Sequence, residues 1–257
     1  MEEIMRSEAY FILPLILAYS SICLSWFGIN KMNLSWEAES PEPSTQSRTD
    51  LLLALLASLV VLLIGQLYSA GYLIPRLGLE KLDKLLIWPL NNFLIFSPIF
   101  LLLIFRKQKL NTIYLSGTEI IRKLGFGFFA SILGVLGFTI LRGELERFPE
   151  ILHSALRIDS LSNFPAVFLE NLALAFLFIR LKWATNMKWA LAIPAVLFAL
   201  AHVPASLAEG DPWSHILTFF FLTGSITVLV LYTLYRSKDI LWLGLVHYFM
   251  DLAIKAF

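Results

Sequence analysis

The sequence is poor in cysteine and in charge, and each shortage excludes a class of protein. Cys23 is the one cysteine among 257 residues, which excludes an internal disulfide framework and a thiolate metal cluster. Only 15% of the residues are charged and 58% are hydrophobic, whereas a soluble domain has about 25% charged residues. The formal net charge of +1 gives no indication of a nucleic-acid partner. The composition therefore predicts an all-α polytopic membrane protein.

Hydrophobic runs of about 20 residues, the length that spans a bilayer, recur along the chain. They predict about eight transmembrane helices, at 10–28, 51–74, 87–105, 124–142, 161–181, 188–206, 215–235 and 240–256. The N-terminus is acidic where a signal peptide is basic, so we expect the first run to be retained. We divide the prediction into four N-terminal helices within 1–160 and a four-helix unit at 161–257.

Two connections between the predicted spans have a character of their own. Residues 30–50 are polar and rich in Ser and Pro, which predicts a flexible loop. Residues 145–158 carry an apolar stripe at helical spacing, which predicts an amphipathic helix at the membrane interface. The stripe consists of Phe148, Ile151, Leu152, Ala155 and Leu156.

Charge in the loops predicts the orientation. With eight spans, the loops on one side, with their flanks, hold 12 of the 20 Lys and Arg residues. The positive-inside tendency then places both termini outside the cytoplasm. Arg180 and Lys182 end a span on the richer side and are interpreted as interfacial anchors. Polar residues within spans, such as Gln66, Asn91 and Asn92, are interpreted as partners in interhelical hydrogen bonds.

Four ionisable side chains interrupt the last four predicted spans: Glu170, His202, His247 and Asp251. Each such group costs about 2.5–3.5 kcal/mol at the centre of a membrane helix. At 1.5 Å rise per residue, all four fit into one layer on the terminus side of the membrane midplane. His247 and Asp251 are four residues apart and share a helix face. A purely structural role is open for each residue alone, but the set of four indicates a functional site.

The order of these residues resembles the CAAX-processing and bacteriocin-processing (CPBP) family of intramembrane proteases. That family has a Glu-Glu-x-x-x-Arg motif, then Phe-x-x-x-His, then His-x-x-x-Asn/Asp. FALAH at 198–202 and HYFMD at 247–251 match the second and third motifs, and the resemblance covers roughly 161–257. In the first motif Glu170 is retained, but Asn171 replaces the second glutamate and Ala175 the arginine. Joint replacement by neutral residues avoids one unpaired buried charge.

The resemblance implies an intramembrane endopeptidase of the glutamic type. Glu170 would act as general base on a water held between it and His202. His247 would stabilise the oxyanion, with Asp251 or Asn171 orienting its ring. The chain has neither GxSxG nor HExxH, the commonest serine-hydrolase and zincin signatures.

Phe198, the first residue of the second motif, is expected to support the site, and no cofactor is expected. A zinc ion bound by Glu170, His202 and His247 is the alternative that the same atoms allow.

Other functions stay open from the sequence. An inactive family member would bind a membrane peptide or confer immunity, and the altered first motif favours this alternative. A proton-coupled transporter would also use intramembrane His and Glu, although no repeat between the halves is visible. The expected partners are the bilayer and a membrane-associated or exported polypeptide, and the expected location is a bacterial inner membrane. The sequence assigns no oligomeric state.

Overall fold

A computed structural model of the protein describes residues 2–36, 41, 43–69 and 84–257. The regular structure of these residues is helical throughout. The helices are α1 (Glu2–Lys31), α2 (Ser47–Ser69), α3 (Lys84–Phe105), α4 (Ile120–Leu141), α5 (Phe148–Ala155), α6 (Ile158–Leu161), α7 (Phe164–Ala184), α8 (Met187–Glu209), α9 (Trp213–Ser237) and α10 (Leu241–Lys255).

Seven of the described helical segments are long and apolar enough to cross a membrane, which confirms the all-α polytopic prediction. The eighth predicted span, 240–256, is shorter than expected. It forms α10, whose 15 residues extend roughly 22 Å, less than the hydrocarbon thickness of about 30 Å. Most of the α10 side chains are buried against other helices. This helix therefore lies in the interior and does not have to match the bilayer alone.

The other predicted boundaries differ in smaller ways. Helix α2 is described to Ser69, and the end of the predicted span 51–74 lies outside the described residues. The segment predicted as one amphipathic helix, 145–158, is a 3-10 turn at Leu145–Arg147 followed by α5. Ile151 and Ala155 are buried within the protein, whereas Leu156 is 62% exposed because the helix ends before it.

Helix α10 is wedged between α4 and α7, and two glycines allow this close approach. A Cβ atom added at Gly127 of α4 would lie 2.8 Å from the backbone Cα of Trp242 on α10. A Cβ added at Gly244 of α10 would lie 2.9 Å from Cδ2 of Phe168 on α7. Small residues at these contacts therefore fix the position of the helix that carries His247 and Asp251.

Two buried polar contacts join distant parts of the chain near the turn between α9 and α10. The Lys123 ammonium lies 2.8 Å from the Asp239 carboxylate, and both side chains are buried. Burial raises the pKa of Asp239 above its usual value, although Lys123 opposes this shift. Trp36 is buried within the predicted loop 30–50 and donates from Nε1 to the Ser237 carbonyl at 2.9 Å. The first part of that loop is therefore anchored; residues 37–40 and 42 lie outside the described residues.

Arg180 is not the interfacial anchor that its position predicts. Its side chain is 1% exposed and donates to the Thr112 carbonyl at 2.7 Å and to the Gln108 side-chain oxygen. Gln108 in turn donates to Asp50 at 3.1 Å, and Arg106 pairs with the same carboxylate at 2.8 Å. The guanidinium group thus ties the end of α7 to the segment after α3.

Candidate active site

The four predicted ionisable residues surround one cavity, which we call the site cavity. Its volume is about 170 Å³. Its wall includes Glu170, Asn171, Phe198, His202, His247 and Asp251. Helices α7, α8 and α10 contribute these side chains, and α9 completes the wall with Phe219, Thr223 and Thr227. The structure therefore brings together every residue that the sequence selected, and their catalytic roles stay a prediction.

His202 is oriented by its own helix. Its Nδ1 lies 2.8 Å from the Phe198 carbonyl oxygen, one turn earlier on α8. A carbonyl oxygen only accepts hydrogen bonds, so Nδ1 carries the proton in this contact, and in the neutral imidazole Nε2 keeps its lone pair. The Phe198 ring also packs edge-on against the imidazole, with ring centroids 4.7 Å apart. His202 therefore offers a hydrogen-bond acceptor in a fixed orientation.

Asn171 determines how His247 is protonated. The Asn171 Nδ2 lies 2.8 Å from the Val167 carbonyl oxygen and 2.9 Å from His247 Nδ1. The carboxamide nitrogen has two hydrogens and no acceptor capacity, so it donates to both partners. An inverted carboxamide would place its oxygen against the Val167 carbonyl, which is unfavourable. His247 Nδ1 is therefore the acceptor, and the ring proton is on Nε2.

Asp251 lies one turn after His247 and faces that ring proton. The distance between His247 Nε2 and Asp251 Oδ1 is 3.4 Å, longer than the usual 2.7–3.2 Å of an N–H···O hydrogen bond (about 2.9 Å is typical). The carboxylate thus helps to orient the His247 ring without forming a tight hydrogen bond with its Nε2–H group. This proton remains available to another acceptor in the site cavity.

Glu170 lies where two cavities meet. Its carboxylate forms no hydrogen bond or ion pair with the residues that the structure describes, so its lone pairs are free there. A second cavity of about 290 Å³ shares Glu170, Leu174, Phe198 and His202 with the site cavity.

The second cavity extends between α2 and α3, two helices that carry none of the four ionisable residues. Its far wall includes the polar residues Ser58, Gln66 and Asn92 among apolar side chains. The signal for this wall was present in the sequence, because Gln66 and Asn92 interrupt apolar runs. The interpretation as interhelical partners is confirmed for Asn91, which donates to Tyr68 at 2.6 Å, whereas the Asn92 amide donates to the Trp88 carbonyl of its own helix at 2.9 Å.

The two altered motif positions are both buried and neutral. Asn171 is buried and uses both amide hydrogens, and the Ala175 side chain is fully buried. No charge is left unpaired at either position, which avoids the penalty of a lone buried ion. Within the described part of the chain, no three His, Cys, Asp or Glu side chains are grouped so that they could hold a metal ion.

Comparison with known proteins gives one family. Residues 161–253 match the family model described as type II CAAX prenyl endopeptidase Rce1-like. No curated protein and no solved structure matches the chain. The matched segment begins just before α7 and ends within α10, so it contains all four ionisable residues of the site. The match confirms the resemblance inferred from the motifs: at the family level, residues 161–253 of this integral membrane protein are similar to the CAAX prenyl endopeptidases.

Proposed function

We propose that this chain is a metal-free, glutamic-type intramembrane endopeptidase that hydrolyses a peptide bond of a membrane-associated or exported polypeptide. The observation that carries the proposal is the pairing of two unused acceptors on one cavity. Glu170 has a carboxylate without a hydrogen-bond partner in the described part of the chain, and His202 has an unprotonated Nε2. A water molecule between them would donate one hydrogen bond to each.

The reaction then follows from these groups. The Glu170 carboxylate takes a proton from the water while the water oxygen attacks the carbonyl carbon of the substrate amide. His202 Nε2 accepts a hydrogen bond from the second O–H, which stays on the attacking oxygen, and so aligns the attacking lone pair. The carbonyl oxygen becomes an oxyanion and accepts the Nε2–H of His247. Glu170 then passes its proton to the amide nitrogen as the C–N bond breaks, which yields a carboxylic acid and an amine.

Asn171 supports this assignment of His247. The oxyanion needs a donor, and the hydrogen bond from Asn171 to Nδ1 keeps the ring proton on Nε2. A glutamate at this position would accept from Nδ1–H and favour the opposite protonation. The asparagine therefore suits a neutral histidine that donates from Nε2.

Zinc fits the site less well than water does. A metal ligand must offer a lone pair, and His247 already uses its Nδ1 lone pair to accept from Asn171, while Nε2 carries the proton that faces Asp251. Binding of zinc by Glu170, His202 and His247 would require the Asn171 contact to break or the Nε2 proton to leave.

The first experiment compares cleavage in cells between wild type, Glu170→Gln and His202→Ala at matched membrane levels. Profiling of peptide termini in the membrane and secreted fractions identifies the products. We expect a specific cleavage to fall by about 10²–10⁴-fold in both variants, the usual contribution of general-base catalysis. Glu209→Gln is the control, because this exposed glutamate ends α8 outside the site. Cleavage by purified enzyme that a zinc chelator abolishes would contradict the metal-free mechanism.

The neutral pair Asn171 and Ala175 favours one other function, an inactive member that binds a membrane peptide without cleaving it. In that case the terminal profiles of wild type, Glu170→Gln and a deletion strain would be the same. We also propose a bacterial inner-membrane location with both termini outside the cytoplasm, on the loop charges alone. Accessibility of a cysteine added at either terminus to a membrane-impermeant reagent tests that orientation.

A further inference from the structure

A third cavity, with polar walls, lies at the other end of the helices, away from the site. Its volume is about 720 Å³, and we call it the basic pocket. One wall is the chain before α2, including Ser44 and Thr45, and the opposite wall is the segment 106–112 that follows α3. Trp183, at the end of α7, also lines it. The site lies nearer the other ends of α7 and α8, so the basic pocket plays no part in the proposed chemistry.

The walls of the basic pocket carry positive charge. Arg106, Lys107 and Lys109 line it, and the described lining residues include no carboxylate. Asp50, behind the wall, neutralises Arg106. The buried guanidinium of Arg180 donates to Thr112 and Gln108 of the wall and adds a further positive charge behind it. Neither lysine forms an ion pair with a described residue. The described surroundings therefore have an excess of positive charge.

Lys107 occupies a backbone conformation that normally favours glycine. Its φ is +52°, and it ends α3 with two backbone hydrogen bonds. Lys107 N–H donates to Ile104 at 3.0 Å, and Gln108 N–H donates to Leu103 at 2.8 Å, the pattern of a Schellman cap. The turn thus places the Lys107 side chain in the pocket wall, at a backbone position where glycine or asparagine would be less strained. Such outliers cluster at binding sites.

We propose that the basic pocket binds the phosphate group of an anionic phospholipid headgroup. The lysine ammonium groups supply charge and hydrogen-bond donors for phosphate oxygens. The pocket lies beside the ends of α2, α3 and α7, all of which are long and apolar enough to span a membrane. Basic pockets between membrane helices bind lipid headgroups on the positively charged side, and tryptophan is enriched at that level. A lipid presents its phosphate at this depth, whereas a soluble phosphate must come from the water.

The test uses the purified full-length protein in detergent. The melting temperature is followed while short-chain phosphatidylglycerol, short-chain phosphatidylcholine or inorganic phosphate is added. We expect a saturable increase with phosphatidylglycerol and none with phosphatidylcholine. An equal or tighter response to inorganic phosphate would overturn the lipid assignment and make a soluble phosphate the ligand.

A pair of matched variants tests the location. Lys107→Asn/Lys109→Gln should weaken phosphatidylglycerol binding at least tenfold, and the unliganded melting temperature should stay the same because asparagine tolerates the left-handed conformation. Lys188→Gln/Arg236→Gln removes the same charge from exposed positions on the same side of the membrane, outside the pocket, and should bind like wild type. Equal weakening in both double variants, or no saturation in wild type, would overturn the proposal.

Discussion

Replacement of Gly127 with alanine should damage both stability and activity, because the added methyl group has no space. Its Cβ would lie 2.8 Å from Trp242 Cα and 3.0 Å from Trp242 O. Both are backbone atoms, so no side-chain rotation relieves the contact. Ordinary van der Waals contact begins near 3.4 Å. Because the interior is close-packed and offers no free space, α10 must move away from α4 by roughly 0.6 Å.

Helix α7 opposes this movement of α10 from the opposite side, and this resistance determines how much stability is lost. Helix α10 is also in contact with α7, where Gly244 already approaches Phe168 closely. Overpacking of this kind costs about 1–3 kcal/mol, and we expect the upper half of that range. A shift of α10 towards α7 would also displace His247 from its 2.9 Å contact with Asn171. Misplacement of catalytic groups by about 1 Å reduces rates by up to about 10²-fold.

The assay combines thermal unfolding in detergent with the rate of the cleavage identified for wild type. Gly137→Ala is the matched control, because it lies on the same helix and an added Cβ there meets nothing within 4 Å. Alanine at that position should be neutral or slightly stabilising, since it favours helix by up to about 1 kcal/mol over glycine. If Gly127→Ala unfolds at the same temperature as Gly137→Ala, the packing argument is wrong.

Further predictions concern the buried polar groups. Lys123→Met should cost about 3–5 kcal/mol because it leaves Asp239 buried without its cation, and Lys123→Met/Asp239→Leu should recover most of that loss in thermal unfolding. Burial raises the pKa of Asp239, so the folded state holds this proton to higher pH than the unfolded chain. The free energy of unfolding therefore decreases as pH rises between the two pKa values, and Asp239→Asn should remove this slope. Asn171→Ala should lower cleavage about tenfold, the effect of one hydrogen bond. Asn171→Glu should also lower cleavage, because the new carboxylate would face the Val167 carbonyl and Ala175 offers no positive charge to pair with it. Cleavage above the wild-type rate would contradict this prediction.

The helices could be predicted from the sequence because hydropathy is a local property. Seven spans follow from apolar runs alone, and Glu170 and His202 stand out because ionisable groups are rare in such runs. Their convergence on one cavity was predicted from depth, since helices of known direction place each residue at a calculable level.

Contacts between distant parts of the chain could not be predicted in the same way. The sequence around Lys123 gives no indication that its partner is Asp239, and Arg180 looks like an anchor until Gln108 and Thr112 are placed beside it. The short length of α10 is also a tertiary effect, because a helix enclosed by others does not have to span the bilayer. The cavity wall from α2 and α3 depends on the same long-range packing.

The neutral residues Asn171 and Ala175 have a consequence for the history of this chain. A change of either position alone to the charged residue of the related motif creates one buried ion, at about 3–5 kcal/mol, a large part of a typical folding free energy of about 5–15 kcal/mol. Ala175 is fully enclosed, so an arginine would also displace its neighbours. Charged and neutral forms of the motif are therefore separated by a barrier that single substitutions cross with difficulty in either direction. Among descendants of a common ancestor, the two positions should change together.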